Sequence, residues 1–111
     1  MGGNKKNFER AADLQEIFLR DCNFRNLSRA AIRDYDQFLT AIKNKSGSLE
    51  NVTHQNIKEL VLEKLNEGQS AATVNHYIRA IKAFHSFLHR GEYTDSNRTA
   101  GLPLIATPDK L

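Results

Sequence analysis

One stretch of this chain carries side chains suited to binding an anion. From Gln69 to Gly91 there is no Asp or Glu, and six basic or titratable side chains are present: Arg79, Lys82, Arg90, His76, His85 and His89. Steps of four and three residues, which share one face of a helix, join five polar or basic residues: Asn75, Arg79, Lys82, Ser86 and His89. Cations neutralise phosphates, and Asn and Arg pair with base edges. This face therefore favours nucleic-acid contact, and an ordinary solvated surface is the alternative.

The starts of two predicted helices add to this pattern. Ser70 and Thr73 stand at the beginning of the stretch just described, where free N–H groups and the positive end of the helix dipole suit a phosphate. Ser28 stands at a second helix start, and three arginines lie around it at intervals of four: Arg25, Arg29 and Arg33. Two basic helix starts would clamp one duplex if the fold places them on the same side.

No other reactive grouping is predicted. His85 and His89 have a spacing that zinc sites use, but no Cys or carboxylate joins them nearby, so we interpret them as core or surface residues. Cys22 is interpreted as a small core residue. The sequence contains no Gly-rich phosphate loop, and no catalytic triad follows from spacing. We therefore expect no catalytic residue, metal, cofactor or small-molecule substrate.

Four amphipathic helices are predicted to position these residues. The first begins near Asn7 or at Asp13, whose spacing to Glu16 suits a capping box. The other three follow the N-cap residues Ser28, Thr53 and Ser70, and the last runs to about Arg90. No window alternates with period two, so the fold class is all-α.

Glycines are predicted to end these helices. The second helix stops by Gly47 and the third at Gly68, and Gly91 is expected to supply the left-handed residue after the fourth. Residues 92–111 contain Gly101, Pro103 and Pro108 with no helical period, which is typical of a linker. The predicted organisation is a tail or helix start over 1–12, a helical domain over 13–91 and a linker over 92–111.

Composition is consistent with one small folded domain. The chain has 111 residues with 40% hydrophobic and 26% charged residues, and a net charge of +3. The excess of cations over acids in residues 69–91 equals that whole net charge. A single cysteine and no apolar run near the roughly 20 residues of a membrane span predict a cytoplasmic protein without a membrane anchor.

Four segments resemble parts of a known family. Residues 27–39 (LSRAAIRDYDQFL) resemble the second helix of the N-terminal core-binding domain of tyrosine recombinases, the phage and transposon integrases. Val52 and Thr53, leading into Ile57, look like its third helix. Residues 70–88 (SAATVNHYIRAIKAFHSFL) look like its fourth, and residues 94–108 resemble its interdomain linker.

The resemblance implies a four-helix SAM-like bundle that grips recombination-site DNA through its second and fourth helices. An absent catalytic domain would close the clamp, and the parent would assemble as a tetramer on double-stranded DNA. Matching positions imply a DNA-binding set on these two helices: Ser28, Arg29, Arg33, Ser70, Thr73, Asn75, His76, Arg79 and Lys82.

The sequence departs from the family pattern at several positions. Ala30 and Ala31 stand where Thr is common, His76 where Arg is common, and Asn97-Arg98 where Asn-Pro is usual. The contact at His76 would be weaker or pH-dependent as a result. The alternative function is a helical protein-interaction module whose acid-free face packs on an acidic protein surface. A small helical enzyme is disfavoured because no reactive grouping is visible.

Overall fold

A computed structural model of the protein describes residues 13–106, and these form four helices and no strand. The helices are α1 (Leu14–Phe24), α2 (Arg29–Ser46), α3 (His54–Asn66) and α4 (Ala71–Arg90). The predicted all-α class is confirmed. The possible helix start at Asn7, the tail over 1–12 and Pro108 lie outside the described residues.

The predicted N-caps account for where the helices begin. The hydroxyls of Ser28 and Ser70 each accept a bond of 3.1 Å from the backbone N–H three residues on. Thr53 accepts from the N–H of Asn56 at 3.0 Å, and the Asn56 side chain accepts from the N–H of Thr53 at 2.9 Å, which is a capping box. Asp13 caps α1 through the N–H of Gln15 at 3.0 Å rather than through that of Glu16.

The helix ends follow the prediction except after α4. Gly47 and Gly68 take left-handed φ values of 86° and 99°. Gly91 was expected to do the same, and this is wrong: its φ is −86°, and Glu92 takes the left-handed value of 63° instead. A Cβ at position 91 would lie 2.8 Å from a ring carbon of Tyr93, so a larger residue there would displace this ring.

Helix α4 lies at the centre of the bundle and contacts each of the other three helices. Phe18 of α1 is fully buried against three aromatic rings, with centroid distances of 5.4, 5.7 and 5.5 Å to Tyr35, Phe84 and Phe87. These rings join α1 to α2 and α4. The second half of α4 is thereby packed against α1.

His85 is a core residue, as one of the two interpretations above predicts. Its side chain is fully buried, and the ring N–H at Nε2 donates to the carbonyl of Leu49 at 2.8 Å. Burial lowers the pKa of His85, and the charge of Arg98 acts in the same direction, while the bond to Leu49 opposes them. The neutral imidazole therefore ties the loop before α3 to α4.

This environment predicts a loss of stability in acid. Because the folded-state pKa of His85 lies below its ordinary value of about 6.5, the unfolded chain gains a proton that the folded chain resists. The stabilisation is complete above about pH 6.5 and falls as the pH drops below it. We expect urea unfolding at pH 5.5 to give a free energy about 1 kcal/mol lower than at pH 7.5.

Replacing the buried imidazole should remove this pH dependence. His85→Gln should lower the free energy of unfolding at both pH values and flatten the difference between them. His89→Gln is the matched control, since His89 lies exposed one turn further along α4. An unchanged difference in His85→Gln would contradict the assignment.

The segment after α4 packs against the helices. Residues 92–106 contain no helix or strand, yet Thr99 and Leu102 are only 1% and 3% exposed. Leu102 and Ile105 line an apolar groove with Ile57 of α3 and Ile78 of α4. The physical reason is that two apolar side chains three residues apart, Leu102 and Ile105, gain burial against the core, although they produce no periodic pattern.

Candidate nucleic-acid interface

The basic residues at the start of α2 are open to solvent. Ser28, Arg29 and Arg33 are exposed, and the two arginines lie one helical turn apart. The two arginines line a shallow groove between α1 and α2 together with Asp36. Ser28 accepts the N–H of Ala31 as the N-cap, so its O–H and the N–H groups of the first turn can both face an anion.

The exposed part of α4 faces α2 across a second groove. His76 and Arg79 are exposed there, opposite Asp34 and Phe38 of α2. The His76 ring stacks on Phe38 with centroids 5.8 Å apart and planes 18° from parallel. This contact holds His76 at the groove edge, and Arg79 lies one turn further along the helix.

Three exposed arginines on α2 and α4 have no ion-pair partner among the described residues. The five ion pairs among the described residues involve none of Arg29, Arg33 and Arg79. Two other basic residues of the sequence pattern form ion pairs within the chain. Arg25 pairs with Asp21 at 2.9 Å, and Arg90 lies 3.9 Å from the same carboxylate. Asp34 and Asp36 reduce the positive potential of the surface without pairing with the three arginines.

The start of α4 is polar but largely self-satisfied. Ser70 accepts from the N–H of Thr73 at 3.1 Å and donates its own proton to the Thr73 hydroxyl at 3.0 Å. Ser70 is exposed and Thr73 half-buried. Their contribution to an anion site is therefore the backbone N–H groups of the first turn.

Two residues of the predicted set bond to the chain's own backbone rather than pointing into solvent. Asn75 is 4% exposed; its Nδ2 donates to the carbonyl of Ile105 at 2.9 Å, and its Oδ1 accepts from the N–H of Ile105 at 2.7 Å. Lys82 is half-buried and its ammonium donates to the carbonyls of Leu102 and Thr99 at 2.6 and 3.2 Å. Ser86, on the same stripe, accepts from Asn97 at 3.2 Å.

Helical periodicity could not reveal this arrangement. It identifies a polar stripe, but a stripe that meets water and a stripe that meets backbone carbonyls have the same spacing. The available signals were Leu102 and Ile105, two apolar residues in a segment otherwise typical of a linker. The stripe therefore divides into a covered part around Asn75 and Lys82, and an exposed edge at His76 and Arg79.

The two basic helix starts lie at opposite ends of the surface. Phe38 contacts the rings of His76 and Tyr77, and α2 residues before Phe38 line the groove with Arg79, so α2 and α4 run antiparallel. At 1.5 Å per residue, Ser28 lies about 15 Å from the level of Phe38, and Ser70 about 9 Å beyond it on the other side. The resulting span of about 24 Å is twice the major-groove width of about 12 Å, so the starts cannot share one phosphate.

Other chemistry has little support in the part of the chain that the structure describes. Residues 13–106 contain no group of three potential metal ligands. Cys22 is fully buried in the core, as predicted, and burial raises the pKa of its thiol. None of the described helices is long and apolar enough to cross a membrane.

Comparison with known proteins agrees with the four-helix architecture. The family model of the phage integrase N-terminal SAM-like domain matches residues 18–92, more than half of the chain. No curated protein and no solved structure matches it. The matched region begins within α1 and ends two residues after α4, so it includes α2, α3 and α4 in full. The resemblance and the SAM-like fold predicted from the sequence are confirmed, and the chain belongs to the family of phage integrase N-terminal SAM-like domains.

Proposed function

We propose that this domain binds double-stranded DNA non-covalently, as the core-binding part of a site-specific tyrosine recombinase. Catalysis would come from a separate domain, and the parent would assemble as a tetramer on the recombination site. The observation that carries the proposal is the set of exposed arginines without ion-pair partners on the two helices that the family resemblance assigns to DNA: Arg29, Arg33 and Arg79.

The α2 arginines suit backbone contact. Arg29 and Arg33 are four residues apart, which places them about 6 Å from each other along the helix axis. A guanidinium donates two parallel N–H hydrogen bonds to one phosphate. Arg29 and Arg33 would therefore bind two positions along the DNA backbone. These contacts would set the position of the domain on DNA and carry no sequence information.

Helix α4 is the candidate for contact within a groove. Arg79 and His76 are exposed on α4 and line a groove with Ala31 of α2. An arginine can pair with the O6 and N7 acceptors of guanine. We assign Arg79 the leading role in base contact and His76 a supporting one, while Ser70 and Thr73 would direct the α4 N-terminus toward a phosphate.

The test is a salt titration of duplex binding by the intact chain. The predicted DNA-binding set contains four cations, and neutralising about four phosphates would give a slope of log K against log salt near −3.6. With Lys82 committed to backbone carbonyls, three arginines predict a slope of about −2.7, which is a roughly 40-fold loss between 50 and 200 mM salt. A complete lack of duplex binding at low salt would overturn the proposal.

A protein-interaction module is the alternative, and one observation favours it. The exposed side chains of Leu62 and Leu104 lie beside or near the apolar groove between α3 and residues 102–105. Shift mapping with duplex DNA separates the two functions. DNA binding should perturb the amides around Arg29 and Arg79 together, whereas a protein-interaction module should leave both unchanged.

A further inference from the structure

The C-terminal segment runs along α4 in a defined register. From residue 97 to residue 105 its partners on α4 step backwards: Asn97 bonds Ser86, then Thr99 and Leu102 bond Lys82, and finally Ile105 bonds Asn75. The segment is therefore antiparallel to the helix over about three turns, or about 16 Å. His54 adds a contact from α3, with its Nε2 3.1 Å from the carbonyl of Arg98.

Most of these bonds recognise backbone rather than side chains. The Asn75 amide satisfies both the N–H and the C=O of Ile105, as a neighbouring strand would. The Lys82 ammonium satisfies two carbonyls whose residues, Thr99 and Leu102, are buried. A buried carbonyl without a partner costs about 1–3 kcal/mol, so these two side chains decide whether the segment can stay docked.

We propose that α3 and α4 form a docking site for a non-helical segment with two apolar side chains three residues apart, occupied here by residues 97–105. Asn75 and Lys82 act in it as positioning residues that fix the direction in which the chain leaves the domain at Ala106. The family match ends at residue 92, before this segment. The docking itself is independent of DNA binding; only its consequence, a fixed exit direction relative to bound DNA, rests on the proposed function.

Nuclear magnetic resonance of the intact chain without DNA tests the docking. In the wild-type protein, order parameters for residues 98–105 should match those of the helices, near 0.85, and their residual dipolar couplings should fit the helices' alignment tensor. In Asn75→Leu combined with Lys82→Met, the order parameters of 98–105 should fall below about 0.6 while the helices keep their values. Wild-type values below about 0.6 in this segment would overturn the proposal.

A matched control separates this role from DNA binding. Arg79→Met changes a basic residue one turn from both positioning residues but has no bond to the segment. It should weaken duplex binding and leave residues 98–105 ordered, whereas the Asn75–Lys82 double variant should release them.

A substitution on the segment itself guards against loss of the fold. Ile105→Pro removes the N–H that bonds Asn75 without touching a helix. It should loosen residues 103–106 while the spectrum of the four helices is retained. Unchanged order in Ile105→Pro and in the double variant would show that these bonds do not hold the segment, and would overturn the proposal even if DNA binds as expected.

Discussion

Reversing two charges, with Arg33→Glu and Arg79→Glu in one chain, is expected to weaken duplex binding about 100-fold or more. Each wild-type arginine would make hydrogen bonds to a charged or polar partner, and such bonds contribute about 1.5–3 kcal/mol. Each factor of ten in affinity corresponds to about 1.4 kcal/mol. The introduced carboxylates would also repel the phosphates, so the loss should be greatest at low salt.

A second double reversal controls for net charge. Lys43→Glu with Lys58→Glu changes the chain's charge of +3 by the same amount, but Lys43 lies near the end of α2 and Lys58 lies on α3. Fluorescence anisotropy with one labelled duplex compares both variants with the wild type. Equal losses would show that overall charge governs binding, and would remove the role assigned to the α2–α4 surface.

Phe18→Ala is expected to lower the free energy of unfolding by about 3–5 kcal/mol, the usual cost of emptying a buried aromatic site. Phe18 is fully buried and contacts three other aromatic rings, including Phe84 of the central helix. Its removal would leave a cavity where α1, α2 and α4 meet. Because small domains are stable by only about 5–15 kcal/mol, this variant should be close to unfolding at ambient temperature.

The same helix provides the control for this substitution. Phe24 is the same residue type, six positions later in α1, and is 87% exposed. Phe24→Ala removes the same atoms without creating a cavity, so its effect should stay within about 0.5 kcal/mol. Urea unfolding of the two variants checks the difference, and similar values would contradict the burial described for α1.

Local chemistry accounts for the features that could be predicted. A hydroxyl or carboxylate that accepts a backbone N–H acts within three residues, so Asp13, Ser28, Thr53 and Ser70 could be identified as caps without any tertiary information. The failure at Gly91 has a different origin. At position 91 the absence of a Cβ leaves room for the ring of Tyr93. The residue with left-handed backbone is the next one, Glu92.

The candidate site shows the limit of the same reasoning. The exposure of Arg29, Arg33 and Arg79 could be predicted because a charged side chain is costly to bury. The burial of Asn75 and the engagement of Lys82 could not, because their partners are backbone groups 17 to 30 residues away. Every residue type has a backbone carbonyl, so residue spacing in the sequence does not predict which carbonyls bind Asn75 and Lys82.

The sequence by itself therefore determined the helices, their caps, the family and the basic character of α2 and α4, since these depend on side-chain type and short-range periodicity. Only the tertiary structure decided which part of the α4 polar stripe meets solvent. Residues 97–105 cover one side of it because Leu102 and Ile105 gain burial between α3 and α4, and Asn75 and Lys82 satisfy the backbone brought in with them. The solvent-exposed part of the stripe is therefore narrower than a whole helical face and consists of Arg79 and His76 beside α2.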